Sequence, residues 1–136
     1  MLTEDQARAR YPGAVSFKFG DSAALNAEIL ELVLSGRKTA SCDTVAGFEA
    51  RGETLPCVGR VDIALDWEGR PVAAIRTLAV EHLPFDHMRE DLVADQGEFR
   101  DLKHWRREYR AYLTRAGLFA PDVMMVMERY EVVERF

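Results

Sequence analysis

Two alternating segments joined by a turn constrain this chain more than any other feature. In VDIAL (61–65), Val61, Ile63 and Leu65 alternate with smaller or polar residues. DWEGRP (66–71) carries the glycine and proline of a turn, and VAAIRTLAV (72–80) reads as the returning strand. Two further stretches have strand character. Val15, Phe17 and Phe19 alternate in VSFKF, and VMMVMERYEVVE supplies a last strand near the C-terminus.

Helical segments are interleaved with these strands. Thr3 to Arg10 is a short amphipathic segment that stops at YPG, a turn signal. Asp21 or Ser22 is placed to cap a helix from Ala23 to Ser35, whose apolar face is Leu25, Ile29, Leu32 and Val33. Gly36 fits the left-handed position that closes such a helix. HLPFDHM (82–88) leads into a helical turn near 86–94. The clearest helix follows, with Leu102, Trp105, Tyr109 and Tyr112 at i, i+3, i+7 and i+10 and Gly117 at its end. Helices inserted between mostly antiparallel strands make an α+β fold. No repeat or linker interrupts it, so residues 1–136 are read as one domain.

Charge narrows the function classes. The formal net charge is −5, whereas a protein that coats nucleic acid through its phosphates ordinarily carries a basic surplus. Contact with RNA would therefore run through a local patch or a grip on one nucleotide. Cys42 and Cys57 are too far apart for a C-x-x-C motif, and with three scattered histidines they form no zinc pattern, so neither metal nor cofactor is expected. No apolar run is long enough to cross a bilayer, and the polar N-terminus is unlike a secretory signal; a cytoplasmic location is the expectation.

The stretch LVLSGRKTASC (32–42) raises the chemical question, because a lysine and a hydroxyl follow directly on a helix end. With FGDS (19–22), LPCVG (55–59), PFDHM (84–88), DQGE (95–98) and the Trp105 helix, it forms an ordered set of short motifs. In that order they resemble the bacterial ASCH-domain family, over nearly all of the chain after about residue 15. The resemblance implies a PUA-like fold, a bent antiparallel β-barrel with flanking helices around a cleft. It implies an association with RNA or a modified nucleoside. Similar small bacterial members are amidohydrolases that remove the acetyl group of N4-acetylcytidine. A lysine, a hydroxyl residue three positions later and a downstream glutamate form their catalytic set, which falls here on Lys38, Ser41 and Glu98. The broader family pattern has an arginine five residues after the lysine, and this chain has Asp43.

Beside the catalytic set, Arg37, Thr39 and Phe85 are the candidates for contact with substrate or RNA, with Trp67 a further candidate for stacking on a base. If Thr39-Ala40-Ser41 is extended, Thr39 and Ser41 share a face. Two roles are open to Lys38. A free lysine has a pKa near ~10.4, so it serves as a base only where desolvation or a neighbouring cation such as Arg37 lowers that value. Otherwise it remains an ammonium that holds a carbonyl or phosphate oxygen, with Glu98 as the acid–base group. A binding module without chemistry and a ribonuclease are the alternatives to the amidohydrolase.

Overall fold

The structure, a computed structural model, describes residues 1–136. In chain order it contains α1 (Glu4–Ala9), β1 (Ser16–Lys18), α2 (Ala23–Leu34), β2 (Ala40–Thr44) and α3 (Val45–Ala50). β3 (Val61–Leu65), β4 (Pro71–Pro84), α4 (Glu90–Ala94), α5 (Leu102–Arg115) and β5 (Met124–Arg135) follow, with one 3-10 turn at Phe85–His87.

The helix ends follow from local chemistry. Thr3 and Gln6 form a reciprocal capping box at α1. Ser22 accepts from the Leu25 amide at α2, and Asp101 from the His104 amide at α5. Gly36, at φ 81°, turns the chain out of α2. The amides of Arg37 and Lys38 both bond to the Leu32 carbonyl, which satisfies an otherwise open acceptor at the helix end.

Five strands form one sheet in the order β1-β3-β4-β5-β2. β4 and β5 are the long members, paired from Ala73↔Arg135 to Pro84↔Met124. Their ladder shifts register between Ala74 and Ile75 and again between Thr77 and Ala79. Such irregularities bend a strand and increase its twist, and here the sheet curves into a half-barrel. The returning strand is longer than its alternation suggests, because β5 pairs with it through Leu83 and Pro84. The expected antiparallel sheet needs one correction: β1 pairs with β3 in parallel. Between the two, the chain makes the long excursion through α2, β2 and α3, and a crossover of that kind brings a strand back in the same direction. Helix α3 carried no pattern long enough to be read. It is a short turn capped by Thr44, whose Oγ1 accepts from the Gly47 amide at 2.9 Å.

The helices cover the sheet in three apolar groups. Trp105 and Leu113 of α5 pack with Leu92 and Val93 of α4 against Met125, Met127, Leu83 and Phe85. Ile29, Leu30 and Val33 of α2 lie against Ala64, Ile75 and Tyr130. Ala7 of α1 seats on Val61, Ile63 and Leu65.

The loop after α4 lies directly on the chain entering β2. Gly97 sits at φ +72°, and a Cβ there would fall 2.6 Å from the Arg37 carbonyl oxygen. At Gly59, φ is +89° but nothing lies within 4 Å. Gly97→Ala is expected to cost about 3 kcal/mol, from the left-handed conformation and the backbone overlap together. Gly59→Ala should cost only about 1 kcal/mol. Urea denaturation of the two variants beside wild type measures the difference.

Candidate functional site

Lys38 lies two residues before β2, and it points inward. It is only 4% exposed. Nζ donates to Glu98 Oε2 at 2.6 Å and to the Gln96 carbonyl at 3.2 Å, so a buried ammonium meets a carboxylate and a backbone acceptor. The loop that supplies both is itself pinned. The Thr39 amide donates to the Asp95 carbonyl at 2.8 Å, and the buried Cys42 thiol donates to Gln96 Oε1 at 3.4 Å. Gln96, fully buried, donates in turn to the Leu92 carbonyl.

Beyond Lys38, alternation in β2 sends Ala40, Cys42 and Thr44 into the interior and leaves Ser41 and Asp43 half-buried at a cleft of about 1100 Å³. Ser41 Oγ lies 2.9 Å from Tyr130 Oη. Burial raises the Tyr130 phenol well above its ordinary range, so it keeps its proton and can act as donor to Ser41. The proton of Ser41 is then free to face a base.

Glu128 lines the same cleft and was not legible as a site residue. Its Cα is the cross-strand partner of Ser41 on β2 and of Val80 on β4. Oε2 accepts from the buried Thr77 hydroxyl at 3.0 Å, and no lysine or arginine pairs with the carboxyl. Burial pushes its pKa up to about 7, with Asp62 adding to the rise and Arg60 and Lys38 opposing it.

Aromatic rings furnish part of the wall: Phe48, Phe99, Tyr109, Tyr112 and Trp67. The Tyr109 hydroxyl donates to the Cys42 carbonyl at 3.0 Å, which ties α5 to β2. Read as core residues on a helical stripe, Tyr109 and Tyr112 do pack on the core, and they also border the cleft. Trp67 lies in the turn between β3 and β4, with Lys18 Nζ 5.2 Å from its ring centroid.

Of the residues singled out in the sequence, Lys38, Ser41 and Glu98 all line this cleft. Arg37, Thr39 and Phe85 do not border it. Arg37 is exposed on the outer side of the turn. Thr39 precedes β2, its amide is held by the Asp95 carbonyl, and its side chain does not share the cleft face with Ser41. Phe85 is 6% exposed and stacks on Trp105 at 5.0 Å between centroids, so packing places it in the core and not against a base. Asp43, at the position where the family pattern has arginine, holds an arginine from elsewhere. Arg51, at the end of α3, donates to it at 2.9 Å and reaches the same wall.

No group of three His, Cys, Asp or Glu side chains is arranged to hold a metal ion, and no helix is long and apolar enough to cross a membrane.

The comparisons bear on the family and the fold. The family model described as "ASCH domain" matches residues 15–134. Protein EF3133 of Enterococcus faecalis V583, of family DUF984, is 34% identical; the match covers 90% of this chain and 77% of that one, with a TM-score of 0.76. The ASCH domain from Lactobacillus crispatus JV V101 is 25% identical over 97% of this chain and 86% of its own, with a TM-score of 0.80. An ASCH protein of Zymomonas mobilis, at 9% identity, covers 90% of this chain and 73% of its own at a TM-score of 0.54, and shares the fold alone. No match was found among curated proteins.

Glu128 makes stability depend on pH. Its carboxyl titrates near 4.5 ordinarily and near 7 in the fold. Between those values the folded state holds a proton that the unfolded chain has released, so stability falls as pH rises through that window. Glu128→Gln removes this contribution. The variant should gain on wild type between pH 5 and pH 8, by a few kcal/mol at most. Thermal unfolding of both proteins across that range checks it.

Proposed function

Because the chain belongs to the ASCH-domain family, we propose that its cleft takes a modified nucleoside and hydrolyses the amide of an N4-acylated cytidine. The observation that carries this is the buried Lys38–Glu98 pair at 2.6 Å, opening on the same cleft as Ser41. Amide hydrolysis needs a nucleophile, a base for its proton and a donor for the developing oxyanion. As an ammonium, Lys38 has three N–H donors, of which two are committed to Gln96 and Glu98. The third is available to the acyl oxygen. Glu98, held by Lys38, is the group that takes a proton.

In this scheme Ser41 Oγ attacks the acyl carbon while its proton passes to Glu98. The C–N4 bond then breaks, and that proton goes to the departing nitrogen. Water cleaves the resulting ester by the same route, releasing the carboxylic acid and restoring Ser41. Tyr130, by donating to Ser41, orients the hydroxyl for the first step.

Electrostatics support a single nucleoside over a long strand. Carboxylates outnumber cations along the cleft walls, as they do in the whole chain, so a polyanion gains little there. The pinned loop favours a second reading, a binding module in which Lys38–Glu98 serves only to fasten residues 95–98.

Chromatography of N4-acetylcytidine incubated with protein separates these. Wild type should release cytidine, and Lys38→Ala, Ser41→Ala and Glu98→Gln should each lower kcat/KM by about 100-fold or more. Folded wild type that binds the nucleoside but releases no cytidine would favour the binding module. Shortening of a labelled oligonucleotide, with nucleosides left intact, would indicate a ribonuclease.

A further inference from the structure

Nothing in the catalytic scheme uses Glu128, yet it lines the cleft on the strand position paired with the proposed nucleophile. Ser41 and Glu128 face each other across the β2–β5 ladder, so a group attacked by one lies close to the other. The carboxyl is held from behind. The Thr77 hydroxyl, 2% exposed, donates to Oε2. On β3's side Arg60 is already engaged, since it bonds Asp62 through both Nε at 2.8 Å and Nη2 at 3.0 Å. Lys38 is likewise taken by Glu98. The result is an oriented carboxyl with no ionic partner, and Oε1 has no hydrogen-bond partner in the protein.

Resting on the nucleoside reading above, we propose that Glu128 is the specificity residue that reads the base: its carboxylic acid donates to the ring nitrogen N3 of a cytosine and accepts from the N4–H beside it. Oε1 carries the donated proton. Oε2, with two lone pairs, accepts from Thr77 and from the base together. The substrate class is thereby an N-acylated amino-heterocycle with an acceptor nitrogen next to the exocyclic amine. A simple aliphatic amide lacks that edge and leaves the half-buried carboxyl without its two bonds to the base, which is the kind of loss that gives polar sites their discrimination.

Only the protonated carboxyl presents this pattern, because an ionised one accepts but cannot donate. The groups facing Glu128 set its state. Asp62 from β3 holds the proton on, Arg60 and Lys38 draw it off, Thr77 from β4 favours the ionised form, and burial outweighs these last three. With the pKa raised to about 7, the reading form is nearly full at pH 6 and about one-tenth populated at pH 8. A glutamine at the same place carries an NH2 donor and a carbonyl acceptor at every pH.

The test is equilibrium binding of cytidine, which presents the same edge without being turned over, to wild type, Glu128→Gln and Glu128→Ala between pH 6 and pH 8. Wild-type affinity should weaken about tenfold across the range, as the competent fraction falls. Glu128→Gln should bind with little dependence on pH, and Glu128→Ala weakly throughout. Wild-type binding that is flat with pH and unchanged in Glu128→Ala would overturn the role of Glu128 while leaving the nucleoside site standing. Failure of folded wild type to bind cytidine at any pH would overturn the nucleoside reading, and this inference with it.

Discussion

A lysine ammonium removed from water must find an anion, and in this fold that requirement organises one whole side of the molecule. Lys38 is buried where α2 hands over to β2, and only residues 96 and 98 satisfy it. The loop therefore has to lie against the chain at Arg37 and Lys38, closely enough that position 97 has no room for a side chain. The Asp95 carbonyl accepts from the Thr39 amide, and its carboxylate is paired with Arg129 of β5. Buried ion pairs contribute little net stability compared with apolar packing, but breaking one partner leaves an expensive uncompensated charge. The pair therefore fixes where the 95–98 loop lies, and in doing so it holds Glu98 at the cleft.

The sheet supplies the other half of the arrangement. β5 lies between β4 and β2, so one strand carries Met125 and Met127 into the core beneath α5 and Glu128 into the cleft. Tyr130 of the same strand serves both, with its ring against α2 and its hydroxyl on Ser41. Ser41, Glu128 and Tyr130 are mounted on paired strands, while Lys38 and Glu98 stand on the turn before β2 and the loop after α4, fastened to each other. That is the setting in which side chains keep their positions without a ligand.

What the sequence made legible divides along physical lines. The hairpin of β3 and β4 and helices α2 and α5 announce themselves by alternation, caps and a 3.6-residue stripe, all of them local signals. The gathering of Lys38, Ser41 and Glu98 came from resemblance to a family, because nothing local in DQGE says that it folds back on GRKTAS. Glu128 was missed for a related reason. In MERYEVVE a glutamate among alternating residues reads as a solvent-facing position, and only its pairing with Ser41 turns that face into the cleft. Phe85 illustrates the converse. An aromatic residue near a motif looks available for stacking, yet the arrival of Trp105 from α5 claims its face. Arg51 was invisible as the partner of Asp43 because α3, which delivers it, has too few residues to show a period.

The two outermost strands of the sheet, β1 and β2, both border the cleft although they stand at opposite ends of the strand order. The cleft is therefore the open seam of an unfinished cylinder, and its gape is a property of the sheet's curvature. That curvature is generated where the β4–β5 ladder slips register, around Ala74 and between Thr77 and Ala79. The second slip begins at Thr77, the residue that holds the Glu128 carboxyl. One irregularity in the weave thus acts as a caliper, setting how wide the seam stands and aiming a polar group into it. Relatives with a different slip at this point would differ in the girth of the ligands they admit, with every side chain on the rim left the same.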